Sequence, residues 1–80
     1  MKMIMTHEGM ISLENIRRVD KHCFITTHTS YGKKYEVSHL SIKLTYCDDY
    51  TSCINCGEDK TGLKLQETYL NEIYNILSKD

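Results

Sequence analysis

Two hydrophobic periods divide the chain: as far as Cys56 apolar residues mostly alternate with polar ones, as in half-buried strands, and from Leu63 onward they recur at helical spacing. Met10-Ile11-Ser12-Leu13 alternates at period two, and Ile16 and Val19 follow at spacing three, which predicts a short strand entering a tight turn or a single helical turn around Glu14-Asn15. Cys23 to His28 is rich in β-branched and aromatic residues (Phe24, Ile25, Thr26, Thr27), and the turn-forming run Ser30-Tyr31-Gly32-Lys33 follows it. A strand and a hairpin-like connection are expected there. Tyr35 and Val37 share one face of the next strand, while Leu40, Ile42, Leu44 and Tyr46 continue it with the parity shifted by one. A bulge at Ser38-His39 would absorb that shift.

The polar tip Cys47-Asp48-Asp49-Tyr50 turns the chain, and Thr51 to Cys56 returns as a strand. A three-residue loop, Asp48 to Tyr50, pairs Tyr46 with Ser52, Leu44 with Ile54 and Ile42 with Cys56, which gathers apolar residues on one face. A two-residue loop pairs Leu44 with Cys53 and Ile42 with Asn55 and buries less, so the first register is expected. Gly57 to Gly62 reads as a charged connector, after which Leu63, Leu70, Ile73 and Leu77 form one helical stripe. Tyr46, Tyr69 and Tyr74 are placed at the helix–sheet junction. The pattern as a whole predicts an α+β fold, a small antiparallel β-sheet of four or five strands packed against one C-terminal α-helix, in a single domain over residues 1–80.

Length limits what such a domain can do. The 80 residues, 40% hydrophobic and 26% charged, suffice for one core and leave no room for a second domain or a large substrate cleft. One core of this size is only marginally stabilising, so a second copy, a metal ion or a bound partner is expected to supply the remainder. One helix covers one side of a sheet, and the expected edge strands carry few lysines. A symmetric homodimer through an exposed sheet edge or the uncovered face is therefore expected; the competing arrangement is a monomer in which Met1 to Met5 adds a strand to that edge.

Charge narrows the partners. The net charge is −1, with seven Lys/Arg against four Asp/Glu over residues 1–43 and three against seven over residues 44–80. Arg17, Arg18, Lys21, Lys33 and Lys34 are candidates for a modest basic patch, and Asp48, Asp49, Glu58 and Asp59 for an acidic one. Five basic residues without interleaved aromatics reach few phosphates, so no specific nucleic-acid binding is expected. No apolar run of 18 residues occurs and the first residues lack a signal-peptide apolar region, which implies no membrane partner and a cytoplasmic location. Four cysteines in that setting read as free thiols or metal ligands.

The one motif with recognisable chemistry is Cys53-Ile54-Asn55-Cys56-Gly57, similar to a zinc-ribbon knuckle, whose second ligand pair would come from Cys47 and Cys23 or from a histidine, His22 or His39. Zinc is thus the alternative cofactor; against it, strand residues three apart face opposite sides, so the main expectation is no cofactor and structural thiols. The acidic pairs Asp48-Asp49 and Glu58-Asp59 fall in turns, where solvent equalises their pKa values and prevents an acid/base division of roles. Phosphate loops, a nucleophile elbow and helical metal-binding histidine pairs are missing from the sequence, and no enzyme and no catalytic residue is expected. Tyrosine stands out: six occur with one Phe and no Trp. Tyr31 and Tyr50 lie in turns, the latter beside Asp48 and Asp49, and these four residues are the candidate partner-binding set, since tyrosine brings contact area at low entropic cost.

The stretch from Ser41-Ile42-Lys43-Leu44-Thr45-Tyr46 through Asp48-Asp49 to Leu70-Asn71-Glu72-Ile73-Tyr74-Asn75-Ile76-Leu77 resembles a group of small uncharacterised bacterial and phage proteins, in which a β-hairpin with an acidic tip precedes a C-terminal amphipathic helix. The resemblance covers about the last half of the chain and brings no catalytic residues. In size and single-core design the chain is also similar in type to small anti-defence proteins such as anti-CRISPR inhibitors. That likeness implies a non-catalytic protein–protein interaction module, a phage or mobile-element inhibitor that binds a host defence protein.

Overall fold

A computed structural model describes residues 2–79. Its first element is a small antiparallel hairpin of β1 (Met3–Thr6) and β2 (Gly9–Ser12), with Met3 opposite Ser12 and Thr6 opposite Gly9. The Thr6 side chain ties the turn: its hydroxyl donates to the Gly9 carbonyl at 2.9 Å and accepts the Glu8 N–H at 3.1 Å. Three longer strands, β3 (Ile16–Ser30), β4 (Lys33–Tyr46) and β5 (Thr51–Glu58), form a second antiparallel sheet in the order β3-β4-β5. Helix α1 (Asp59–Leu77) follows β5 directly and lies over β4 and β5.

Burial explains this arrangement. Leu40, Ile42 and Leu44 of β4, Ile54 and Cys56 of β5, and Tyr69, Leu70 and Ile73 of α1 close on one another, and Ile4 and Leu13 from the N-terminal hairpin seal the side. Ile4, Leu13, Ile42, Leu44, Ile54 and Ile73 are fully buried, each contributing roughly 1.5–3 kcal/mol of hydrophobic stabilisation. Gln66 is buried with Thr6 and Thr45 and is the most deeply buried of these polar residues. Its Nε2 donates to the Ser41 carbonyl at 2.8 Å and the His22 carbonyl at 3.2 Å, so its burial leaves its donor group satisfied and fixes the helix to both strands. Among the described residues no helix is long and apolar enough to cross a membrane.

The α+β class and C-terminal helix stand as the pattern implies, but the sheet is divided, three strands plus two, because Met3–Thr6 pairs with Gly9–Ser12 and not with an edge of the larger sheet. The β4–β5 loop does hold three residues, yet they are Cys47-Asp48-Asp49. Tyr46 donates to Tyr50 at 2.8 Å, and Leu44 then faces Ser52 and Ile42 faces Ile54. This register is two residues away from the expected one and keeps the same faces, so the apolar side is preserved. The β3–β4 ladder runs without interruption through Ser38-His39; the bulge lies between Leu40 and Ser41 on the β5 side, where Cys56 is the extra residue.

No connector separates β5 from α1. Gly57, at φ 109°, turns the strand at the bulge, and the helix begins at Asp59, so Gly62 sits inside its first turns. The buried face of the helix runs through Gly62, Gln66, Tyr69, Leu70 and Ile73, whereas Leu63 and Tyr74 are exposed and Leu77 is half-buried.

Beyond the end of β5 the architecture changes. The last residue of β5, Glu58, pairs with His39, and the next outward-pointing β4 donor, Ser38 N–H, is taken by Asp59 Oδ1 at 3.0 Å. From there β3 and β4 continue alone as a two-stranded ribbon to the Tyr31-Gly32 turn, whose two residues both have positive φ (51° and 74°), as a type I′ two-residue loop requires. The ribbon gives the molecule its elongated form, 54 × 23 × 18 Å.

Candidate protein-binding surface

Residues directly opposite each other in a ladder share a face, so the register of the ribbon assembles its surface. Phe24 faces His39, Thr26 faces Val37 and His28 faces Tyr35, all on the side of the sheet away from α1; Ile25, Thr27 and Glu36 occupy the other side. The rings stack across the strands, Phe24 on His39 with centroids 4.7 Å apart and His28 on Tyr35 at 5.4 Å. Thr26 Oγ1 lies 2.8 Å from Nε2 of both His28 and His39, so one hydroxyl links the two stacks.

A bare two-stranded ribbon is marginal in water, and these cross-strand pairs are what stiffen it. They do not hide it. Phe24 and Ile25 are each more than half exposed, Tyr35 is half exposed and Tyr31 at the tip is completely exposed. Phe24 and Tyr35 on one face, with Tyr31 at the tip, form the kind of surface that a partner covers.

The other end of the molecule carries the β4–β5 turn. Asp49 adopts φ 68°, Asp48 Oδ1 accepts the Tyr50 N–H at 3.1 Å, and Arg17 binds Asp49 at 2.7 Å. Tyr46 and Tyr50 meet with ring centroids 5.9 Å apart, and the Tyr46 hydroxyl donates to the Ser12 carbonyl at 2.7 Å. Burial first, and the neighbouring Tyr50 second, push the Tyr46 phenol above its ordinary pKa, so it stays a neutral donor. A shallow hollow of about 480 Å³ lies here, lined by residues that include Glu14, Tyr46, Asp48 and Tyr50.

The four candidate partner-binding residues therefore do not share one surface. Tyr31 caps the ribbon, while Asp48, Asp49 and Tyr50 sit at the far end of β4. The basic residues divide in the same way: Arg17 and Arg18 are held by Asp49 and Asp20 at one end, and Lys33 and Lys34 lie beside the ribbon tip. The row Phe24, Thr26, His28, Tyr35, Val37 and His39 was the part that the strand pattern alone missed. The available signal was the two-residue turn Tyr31-Gly32, which fixes the register and hence every facing pair.

The cysteines are spread over the fold. Cys53 is exposed opposite Lys43, Cys56 is buried at the bulge, Cys23 is exposed opposite Leu40, and Cys47 lies in the β4–β5 turn. Cys53 and Cys56 face opposite sides of β5, and among the described residues no three His, Cys, Asp or Glu side chains are grouped so as to hold a metal ion. Burial, and next the charge of Glu8, raises the Cys56 pKa and keeps it a thiol. Titration of the native protein with an aromatic disulfide at about pH 8, near the ordinary thiol pKa, is expected to show three fast thiols and a fourth that reacts only on unfolding. Four equally fast thiols would contradict the buried position of Cys56.

Comparison with protein-family models, with curated proteins and with solved structures finds no match for this chain.

Proposed function

We propose that this chain is a non-catalytic protein-binding module whose projecting β-ribbon docks on its partner, acting as a phage or mobile-element inhibitor that occludes a host defence protein. The observation that carries this reading is the ribbon itself: an element that contributes little to the core yet displays Phe24, Ile25, Tyr31 and Tyr35 to solvent. Exposed rings of this kind supply most of the energy of a protein interface, because each buries a large area while fixing few torsions. Tyr50, Asp48 and Asp49 add a second, acidic contact at the other end. Specific nucleic-acid binding is not part of this function, since the arginines already have acidic partners and the lysines at the tip are few.

Affinity capture from a lysate of the natural host, followed by mass spectrometry, tests the reading. The native chain is expected to retain a reproducible protein partner. The Tyr31→Ala variant, altered only at the fully exposed tip, should lose it at least tenfold while its far-ultraviolet circular dichroism stays unchanged. Equal capture by the variant, or no partner at all for the native chain, would overturn the assignment.

A further inference from the structure

The two edges of the larger sheet are treated differently. On the β5 side, Glu8 Oε1 accepts the Asn55 N–H at 3.0 Å and Asp59 takes the Ser38 N–H, so the edge and its end are capped by side chains. On the β3 side no strand is paired along residues 16–30. The direction of its free groups follows from Ser38. In an antiparallel ladder, opposite residues turn their backbone groups either toward each other or both away. Ser38 N–H points away from β3, to Asp59, so its partner Ile25 turns its N–H and C=O outward, and by alternation so do Val19, Lys21, Cys23, Thr27 and Thr29.

We propose that this edge pairs with the same edge of a second copy, antiparallel about a twofold axis at Phe24, giving a continuous six-stranded sheet. Charge and ring chemistry select that register. With the axis at Phe24, Asp20, the sole acidic side chain of β3, faces the second copy's His28, His22 faces Thr26 and Cys23 faces Ile25. The two Phe24 side chains then meet in a non-hydrogen-bonded pair, the closer of the two spacings. Moving the axis to Cys23 sets Lys21 against Ile25 and Arg18 against His28; moving it to Ile25 sets His22 against His28 and leaves Asp20 facing Ser30. Helix α1 packs chiefly on β4 and β5 and reaches β3 through Gln66, which binds the His22 carbonyl on the β4 side of the strand, so the outward edge of β3 stays open. Each two-stranded ribbon becomes part of a sheet of at least four strands, which removes its marginal stability.

This pairing also unites what the single chain separates. Ser30 of one copy lies opposite Arg18 of the other, which places the exposed Tyr31 next to Arg17, the residue bound to Asp49. Each end of the dimer then presents Tyr31 from one copy beside Asp49 and Tyr50 from the other. The composite surface rests on the protein-binding function proposed above; the dimer does not.

Light scattering with size exclusion is expected to give about twice the chain mass of 9.4 kDa. Ile25→Pro, which removes an outward N–H that no group among the described residues uses, should halve the measured mass at the same concentration with unchanged circular dichroism. With Cys23, Cys47 and Cys53 changed to serine, Phe24→Cys should oxidise to a cross-linked dimer and Thr26→Cys should not. A native mass near 9.4 kDa at all concentrations, or a dimeric Ile25→Pro protein, would overturn the edge pairing; cross-linking through Thr26→Cys would overturn its register. Capture of the host partner by monomeric Ile25→Pro as efficiently as by the native chain would overturn the composite surface alone.

Discussion

Ile73→Ala is expected to destabilise the protein by about 2–5 kcal/mol, the range for truncating a large aliphatic side chain at a closed site. Ile73 is completely buried in the core that α1 shares with β4, β5 and Ile4. No smaller side chain fills that space, because the core residues Ile42 and Leu44 extend from β4, whose backbone is held by ladders on both sides, and Ile54 from β5, which is paired to β4. A chain of this length has a total stability of roughly 4–12 kcal/mol at the usual 0.05–0.15 kcal/mol per residue. The substitution therefore removes a large fraction of it and can leave a measurable unfolded population in buffer. Urea denaturation followed by circular dichroism reads the loss as a fall in midpoint. Leu63→Ala, on the same helix but more than half exposed, should cost less than about 1 kcal/mol. Equal effects at the two positions would mean that the helix buries a different face.

That contrast also marks what was legible in the sequence. Leu70 and Ile73 were identified as core because helical periodicity needs only the chain itself, and both are buried. Leu63 falls on the same stripe by spacing, after a stretch from Gly57 to Gly62 that reads as a connector. The helix in fact begins at Asp59, and its buried face is fixed by a contact between Gly57 and Gly62 that no local pattern announces. Gln66 reads as a polar surface residue, and its burial depends on two carbonyls supplied by other strands, those of His22 and Ser41.

Strands were harder for the same physical reason. Period-two alternation fixes which residues share a face and leaves the register free to slip by two, which is how the β4–β5 pairing departed from expectation while its apolar side survived. At the candidate site, Tyr31 and the Asp48-Asp49-Tyr50 turn were recognisable from turn chemistry, and all four residues are exposed. Their separation was not recognisable, because it follows from β4 being a single unbroken strand of 14 residues. The ribbon face was equally hidden: Ile25 is exposed because β5 stops opposite His39, and Phe24 because it points to the side of the sheet that α1 does not cover.

Gly62→Ala tests the contact that sets the helix in place, and two opposing effects decide its sign. Within a helix, alanine is favoured over glycine by about 1 kcal/mol, so on propensity alone the substitution would stabilise the protein. The added Cβ, however, would collide with the backbone carbonyl of Gly57 and press against Leu40 Cδ2 at 3.3 Å. The Leu40 methyl group can yield by rotation. The Gly57 carbonyl cannot, because Gly57 is held at φ 109° in the bulge and is paired with Leu40 across the ladder. Relief thus requires α1 to move away from the end of β5, which would loosen the buried Cys56 and lengthen both hydrogen bonds of Gln66. Overpacking against an unyielding group costs about 3 kcal/mol, the upper end of its usual range. The net effect is then a loss of about 2 kcal/mol, or on the order of 10 °C in melting temperature for a domain of this size. Thr61→Ala, one residue earlier on the exposed face, gains propensity without the collision and should leave the melting temperature equal or slightly higher. Calorimetry of the two variants side by side checks the argument, and a Gly62→Ala protein that melts at or above the native temperature would show that β5 and α1 are not in backbone contact at this point.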